Sequence, residues 1–177
     1  ATFVLDDRPQ VIVAAGFGGA DRVLSRFYLG RVLALLAGGG ALAVLLPPGE
    51  IKRLLDGVAG QHIEGVGDPG MVQRVGKALG WSVRRGLTAQ CRDYATPAPP
   101  DLSGWQAAAT LTANRGGLIA CGDFGAARAA VHGMAGIPVP RGGSPAAWDA
   151  SRMVPALSDL LQYAVSPEYS AARAHLL

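Results

Sequence analysis

The sequence predicts a mainly α fold, with an N-terminal β-hairpin followed by a bundle of about seven helices around a central buried helix. Three observations carry this. Two short β-rich runs stand together at the N-terminus. Residues 21–37 read as a helix that is apolar on almost every side, and such a helix has to be enclosed by other elements. Glycine and proline clusters then cut the rest of the chain into segments with apolar residues at helical spacing.

The elements follow in order. Residues 2–5 and 10–15 flank Asp6-Asp7-Arg8-Pro9, a turn composition, and form the hairpin. The central helix starts at Gly19 or Asp21, where an acidic side chain suits the positive end of the helix dipole. Gly38, Gly39 and Gly40 stop it. A short apolar helix over 41–46 ends at Pro47-Pro48, and residues 50–58 form an amphipathic surface helix. Residues 60–70, rich in glycine, read as a loop carrying His62, Glu64 and Asp68. The next helix runs from Pro69 or Gly70 to Arg85, with proline in its first turn and an arginine pair at its end. A short helix over 88–94 leads into a Pro-rich connector. Residues 101–121 form the second long helix, 124–134 an Ala-rich one, 136–144 an irregular loop and 148–165 the last substantial helix. A terminal helix begins near Pro167.

At 177 residues the chain is long enough for one domain with a proper core, spanning 1–177, and its abrupt start fits the C-terminal part of a longer protein. The formal charge is +3, but the sixteen Lys and Arg are scattered and the aromatics do not alternate with them, which argues against nucleic acid. Cys91 and Cys121 belong to no ligand cluster, so two reduced thiols in a cytoplasmic protein are expected, with a single disulfide as the alternative. The longest apolar run, 32–46, is too short and too broken by glycine for a membrane span of about 20 residues.

Familiar catalytic signatures are missing. There is no G-x-S-x-G and no G-x-x-x-x-G-K-[ST], and Gly16 to Gly19 lack the context of a dinucleotide fingerprint. His62, His132 and His175 are the three imidazoles, none with a second His or Cys at ligand spacing. The loop with His62, Glu64 and Asp68 is the one place where an imidazole and carboxylates gather. Cys91, beside Arg92 and Asp93, is a second candidate, since a neighbouring cation favours thiolate; a buried inert cysteine is the alternative.

Ala113-Asn114-Arg115-Gly116-Gly117-Leu118, preceded by Thr110, resembles the E-x-x-A-D-R-x-G-L signature of the zinc-dependent HtpX and CAAX-prenyl-protease family. The helix over 21–37 is similar in position and apolar character to the family's central L-x-H-E-x-x-H helix, and the order of elements agrees. The resemblance covers roughly residues 2–134. Carried over residue by residue, it puts Arg31 and Leu35 at the two His ligands, Val32 at the general-base Glu, and Thr110 at the third ligand, a Glu in the family. Asn114 and Arg115 fall where residues around the metal would be. Zinc hydrolysis needs two imidazoles, a third donor and a carboxylate base. This chain supplies none of these, and no His or Glu lies between Asp21 and Glu50 in any register.

The resemblance therefore implies a peptidase-like scaffold without the peptidase, with no metal and no cofactor. A non-catalytic protein-interaction or scaffold domain with a protein partner follows as the first expectation. A structural subunit of a larger assembly, with residues 42–46 and Trp105 on its surface, is the second. An enzyme of unrelated chemistry, using the His62, Glu64 and Asp68 loop or Cys91, is the third. Arg31 itself calls for a carboxylate partner if it is buried, with Asp123, Glu64 and Asp149 as candidates, or for a snorkelling path to solvent if it is not.

Overall fold

A computed structural model describes residues 2–4, 10–13, 15, 17, 19, 21–95, 100–138 and 154–176. The chain is mainly helical, with ten helices among the described residues. Strand β1 (Thr2–Val4) pairs antiparallel with β2 (Gln10–Ile12), placing Phe3 opposite Val11. The hairpin's turn, the connector at 96–99 and the start of the helix expected from 148 lie outside the described residues.

The helices are α1 (Arg22–Ala37), α2 (Ala41–Leu45), α3 (Pro48–Ala59), α4 (Pro69–Ala78), α5 (Trp81–Gly86), α6 (Thr88–Tyr94), α7 (Leu102–Cys121), α8 (Phe124–Met134), α9 (Pro155–Ala164) and α10 (Pro167–Ala174). Among the described residues, no helix is long and apolar enough to cross a membrane. Aspartates set four of the N-termini. Asp21 accepts from the amides of Val23 and Leu24, Asp68 from Met71, Asp101 from Gly104, and Asp123 from Ala126. Each satisfies backbone donors that the first helical turn leaves open.

The helix expected from residue 69 or 70 to 85 is two. Leu79 turns extended (φ −84°, ψ 122°), Gly80 follows at φ −61°, ψ 154°, and α5 starts afresh at Trp81. With this break, the nine helical segments read along the sequence become ten helices among the described residues, more than a bundle of about seven. Gly39 at φ +67° and Gly122 at φ +68° sit just past the ends of α1 and α7, in a region that favours glycine.

The chain divides into two compact units, residues 1–41 with 108–177, and residues 42–107. The first unit holds the larger core. Phe27 of α1, Leu118 of α7, Ala127, Ala130 and Val131 of α8, and Leu157 and Leu160 of α9 are all buried in one cluster. Fully burying each of the larger side chains contributes about 1.5–3 kcal/mol. The guanidinium of Arg173 on α10 donates to the Ile119 carbonyl, 2.9 Å away.

Helices α1 and α7 run unusually close together. A methyl on Gly30 would stand 2.6 Å from the Gly116 carbonyl oxygen, and one on Gly117 would meet the Phe27 ring at 2.8 Å. Helix α1 is nevertheless not closed on every side, because Arg22, Arg26, Leu33 and Ala37 face outward and Leu33 is 57 % exposed. In the second unit, α3 packs on α4 with Gly57 against Met71 and Val75, and Ile51 of α3 is also buried.

Candidate functional site

The first unit contains every position to which the peptidase resemblance assigned a role. Val32, Leu35 and Ala113 are buried together in a small cluster with Ala41, so the two helices that the sequence singled out do meet there. That small cluster is aliphatic. Arg31 is half-buried, its guanidinium 5.9 Å from the centre of the Phe27 ring, and its Nη1 is buried without a hydrogen-bond partner. Burial pulls its pKa below the usual arginine value, with Tyr28 acting in the opposite direction.

The carboxylate that a buried Arg31 would call for is not supplied by the described residues of its own unit. Asp123 is occupied at the N-terminus of α8. Asp149 lies outside the described residues, and Glu64 belongs to the other unit.

Thr110 is partly buried on α7. Asn114, one turn on, is only 1 % exposed, and its Oδ1 has no hydrogen-bond partner. Arg115 points elsewhere. Its guanidinium holds Asp159 of α9 through Nε at 3.0 Å and also through Nη2, and it lies over the Tyr163 ring. The hydrogen bonds to Asp159 raise its pKa. Arg115 thus fastens α7 to α9.

The second unit contains the other candidates. His62, Glu64 and Asp68 are put to separate tasks: His62 Nδ1 faces the Thr88 hydroxyl at 3.4 Å, Asp68 starts α4, and Glu64 lines an open groove of about 400 Å³ with Ile63, Val66 and Val72. No group of three or more His, Cys, Asp or Glu among the described residues is arranged to hold a metal ion. Cys91 is buried, its thiol directed at the Val58 carbonyl 3.8 Å away. Burial pushes its pKa up, the direction opposite to the activation that Arg92, next in sequence, suggested. Cys121 is likewise buried, with its pKa raised, and both cysteines are free.

Beside Cys91 lies an apolar cavity of about 250 Å³, bounded by Leu55, Val58 and Ala59 of α3 and by Leu87, Cys91 and Tyr94. A polar chain that sequence reasoning missed braces it. Lys52 Nζ donates to Asp56 Oδ2 at 2.7 Å, and the Tyr94 hydroxyl donates to Asp56 Oδ1 at 2.7 Å. Burial acts to raise the Asp56 pKa, but the hydrogen bonds from Lys52 and Tyr94 outweigh it and hold the carboxyl below its usual value. Burial and the bond to Asp56 push the Tyr94 phenol up to about 12. The i,i+4 spacing of Lys52 and Asp56 was legible on α3. The tyrosine 38 residues away carried no such signal.

A surface feature completes the second unit. Leu42, Val44 and Leu45 of α2 are exposed, as is Trp105 of α7 at 39 %. Next to Trp105, the Gln106 amide donates to the carbonyls of Ala43 (2.8 Å) and Leu46 (2.7 Å), the last of which lies just beyond the end of α2. Compared with protein-family models, curated proteins and solved structures, the chain has no match.

Proposed function

We propose that the chain is a non-catalytic protein-interaction domain, a scaffold on a degenerate metallopeptidase-like helical frame around α1, working in the cytoplasm with its two thiols reduced. The observation that supports this most is the open apolar surface of the second unit. Single exposed apolar residues are ordinary, but Leu42, Val44 and Leu45 lie within four residues on one short helix. Trp105, on the helix whose Gln106 holds α2, adds the kind of side chain that dominates protein interfaces. The aliphatic face made by Val32, Leu35 and Ala113 adds support, because it gives hydrolysis no groups to work with.

The test compares the whole chain with its Leu42→Glu/Leu45→Glu variant. Wild-type protein recovered from its native host should bring down a stoichiometric partner, and the variant should lose it by about 100-fold or more, as expected for two central interface residues. Equal recovery by both proteins, or a wild-type chain that is monomeric by light scattering and recovers nothing, sinks the reading. Self-association of the wild type, abolished in the variant, would identify the surface as a contact within a larger assembly.

A further inference from the structure

We propose that the second unit binds a small apolar molecule, of one or two fused aromatic rings, in the cavity beside Cys91. The size sets the scale. About 250 Å³ exceeds the ~150 Å³ of an apolar cavity that stays dry and takes up benzene, and falls short of the ~300 Å³ at which drug-sized sites begin. The lining sets the chemistry. Leu55, Val58, Ala59 and Leu87 present hydrocarbon, while the two polar wall groups are already engaged, Tyr94 by Asp56 and the Cys91 thiol by the Val58 carbonyl.

A charged ligand would leave its water there and find no counter-charge on the wall, a large loss. An apolar ring loses nothing comparable. The side-chain amide of Gln90 is the one further polar group lining the cavity, so a single ring N–H or hydroxyl could be met. One wall of the cavity is also fixed in advance: the bond from the Tyr94 hydroxyl to Asp56 ties α6 to α3 beside it. A preformed site of this kind spends little of its binding energy on ordering itself.

The cysteine in the wall provides the measurement. Full-length protein is alkylated with N-ethylmaleimide in the presence of indole, toluene or benzoate, and the rates at Cys91 and Cys121 are read separately by peptide mass spectrometry. Indole and toluene should slow Cys91 in a saturable manner, about tenfold at ten times the fitted dissociation constant, and leave Cys121 unchanged. Benzoate should protect far less. Val58→Phe, which fills the cavity, should remove the effect of indole; if it fails to fold, Leu87→Phe at a partly exposed position takes its place. The proposal is overturned if neither neutral ring slows Cys91 up to its solubility, or if benzoate protects as well as indole. It is equally overturned if Cys121 slows in parallel, if a folded filled variant is still protected, or if protection depends on protein concentration and not on indole, which would put a second copy of the chain in the cavity.

Discussion

Gly30 and Gly116 stand so close that a methyl on Gly30 would lie 2.6 Å from the Gly116 carbonyl oxygen and 2.5 Å from the Ala120 side chain. The obstruction is partly backbone, which cannot swing aside as a long side chain would. Gly30→Ala should therefore destabilise the chain. Overpacking at a rigid site costs about 3 kcal/mol, and the better helix propensity of alanine returns about 1, leaving a net loss of about 2 kcal/mol in chemical denaturation. Gly133→Ala on α8, where an added methyl meets nothing within 4 Å, is the control and should gain up to about 1 kcal/mol. A neutral result at Gly30 would show that the two helices are not in contact at this distance.

Arg31→Met should leave stability unchanged or raise it by about 1 kcal/mol. The substitution removes a half-buried cation whose Nη1 has no partner, at the cost of a weak contact with the Phe27 ring. Thermal and urea unfolding both report it. A loss of more than about 1 kcal/mol would mean that the guanidinium is paired after all.

The Tyr94 hydroxyl and Asp56 should give a pH signature at each end of the scale. The folded pKa of Asp56 is depressed, so its contribution is present above the unfolded carboxylate value and is lost as pH falls through the folded one. The Tyr94 pKa is raised to about 12, so its contribution is complete below the ordinary phenol range and is lost as pH rises towards about 12. An ultraviolet difference titration of wild type against Asp56→Asn should show one of the four tyrosines ionising at lower pH in the variant. Superimposable titrations would rule out the bond.

Arg115 and Asp159 should be coupled modestly. The pair is bidentate, but the arginine side chain is about half exposed, and exposed pairs measure about 0.2–1 kcal/mol. A double-mutant cycle with Arg115→Ala and Asp159→Ala should fall in that range and shrink as salt is added. Coupling above about 2 kcal/mol would indicate that α7 and α9 rearrange when the pair is broken.

Particular residues show what could be read in advance. Asp21 and Asp123 each cap the helix that follows; α8 starts at Phe124 as expected, and α1 starts at Arg22, one residue past the later of the two starts expected, Gly19 or Asp21. The break at Leu79-Gly80 was not legible, because a single glycine within a periodic pattern is as often tolerated as it is a terminus. Gly116 and Gly117 were noticed as parts of a signature. The structure gives them a second explanation, the near contact with Gly30 and Phe27, which a signature cannot express because it names no partner. The cavity beside Cys91 and the Tyr94 bond depend on residues more than thirty positions apart, and such pairs leave no trace in composition or period.

The clasp made by Gln106 has a chemical consequence. Helix α2 has five residues, too few to persist alone, and two carbonyls, one in its middle and one just beyond its end, are held by a single amide about sixty positions away. Deamidation of that side chain would turn a donor into an acceptor of the same shape, facing two carbonyl oxygens that can only accept. One spontaneous hydrolysis thus removes both of the bonds by which this amide holds the apolar helix.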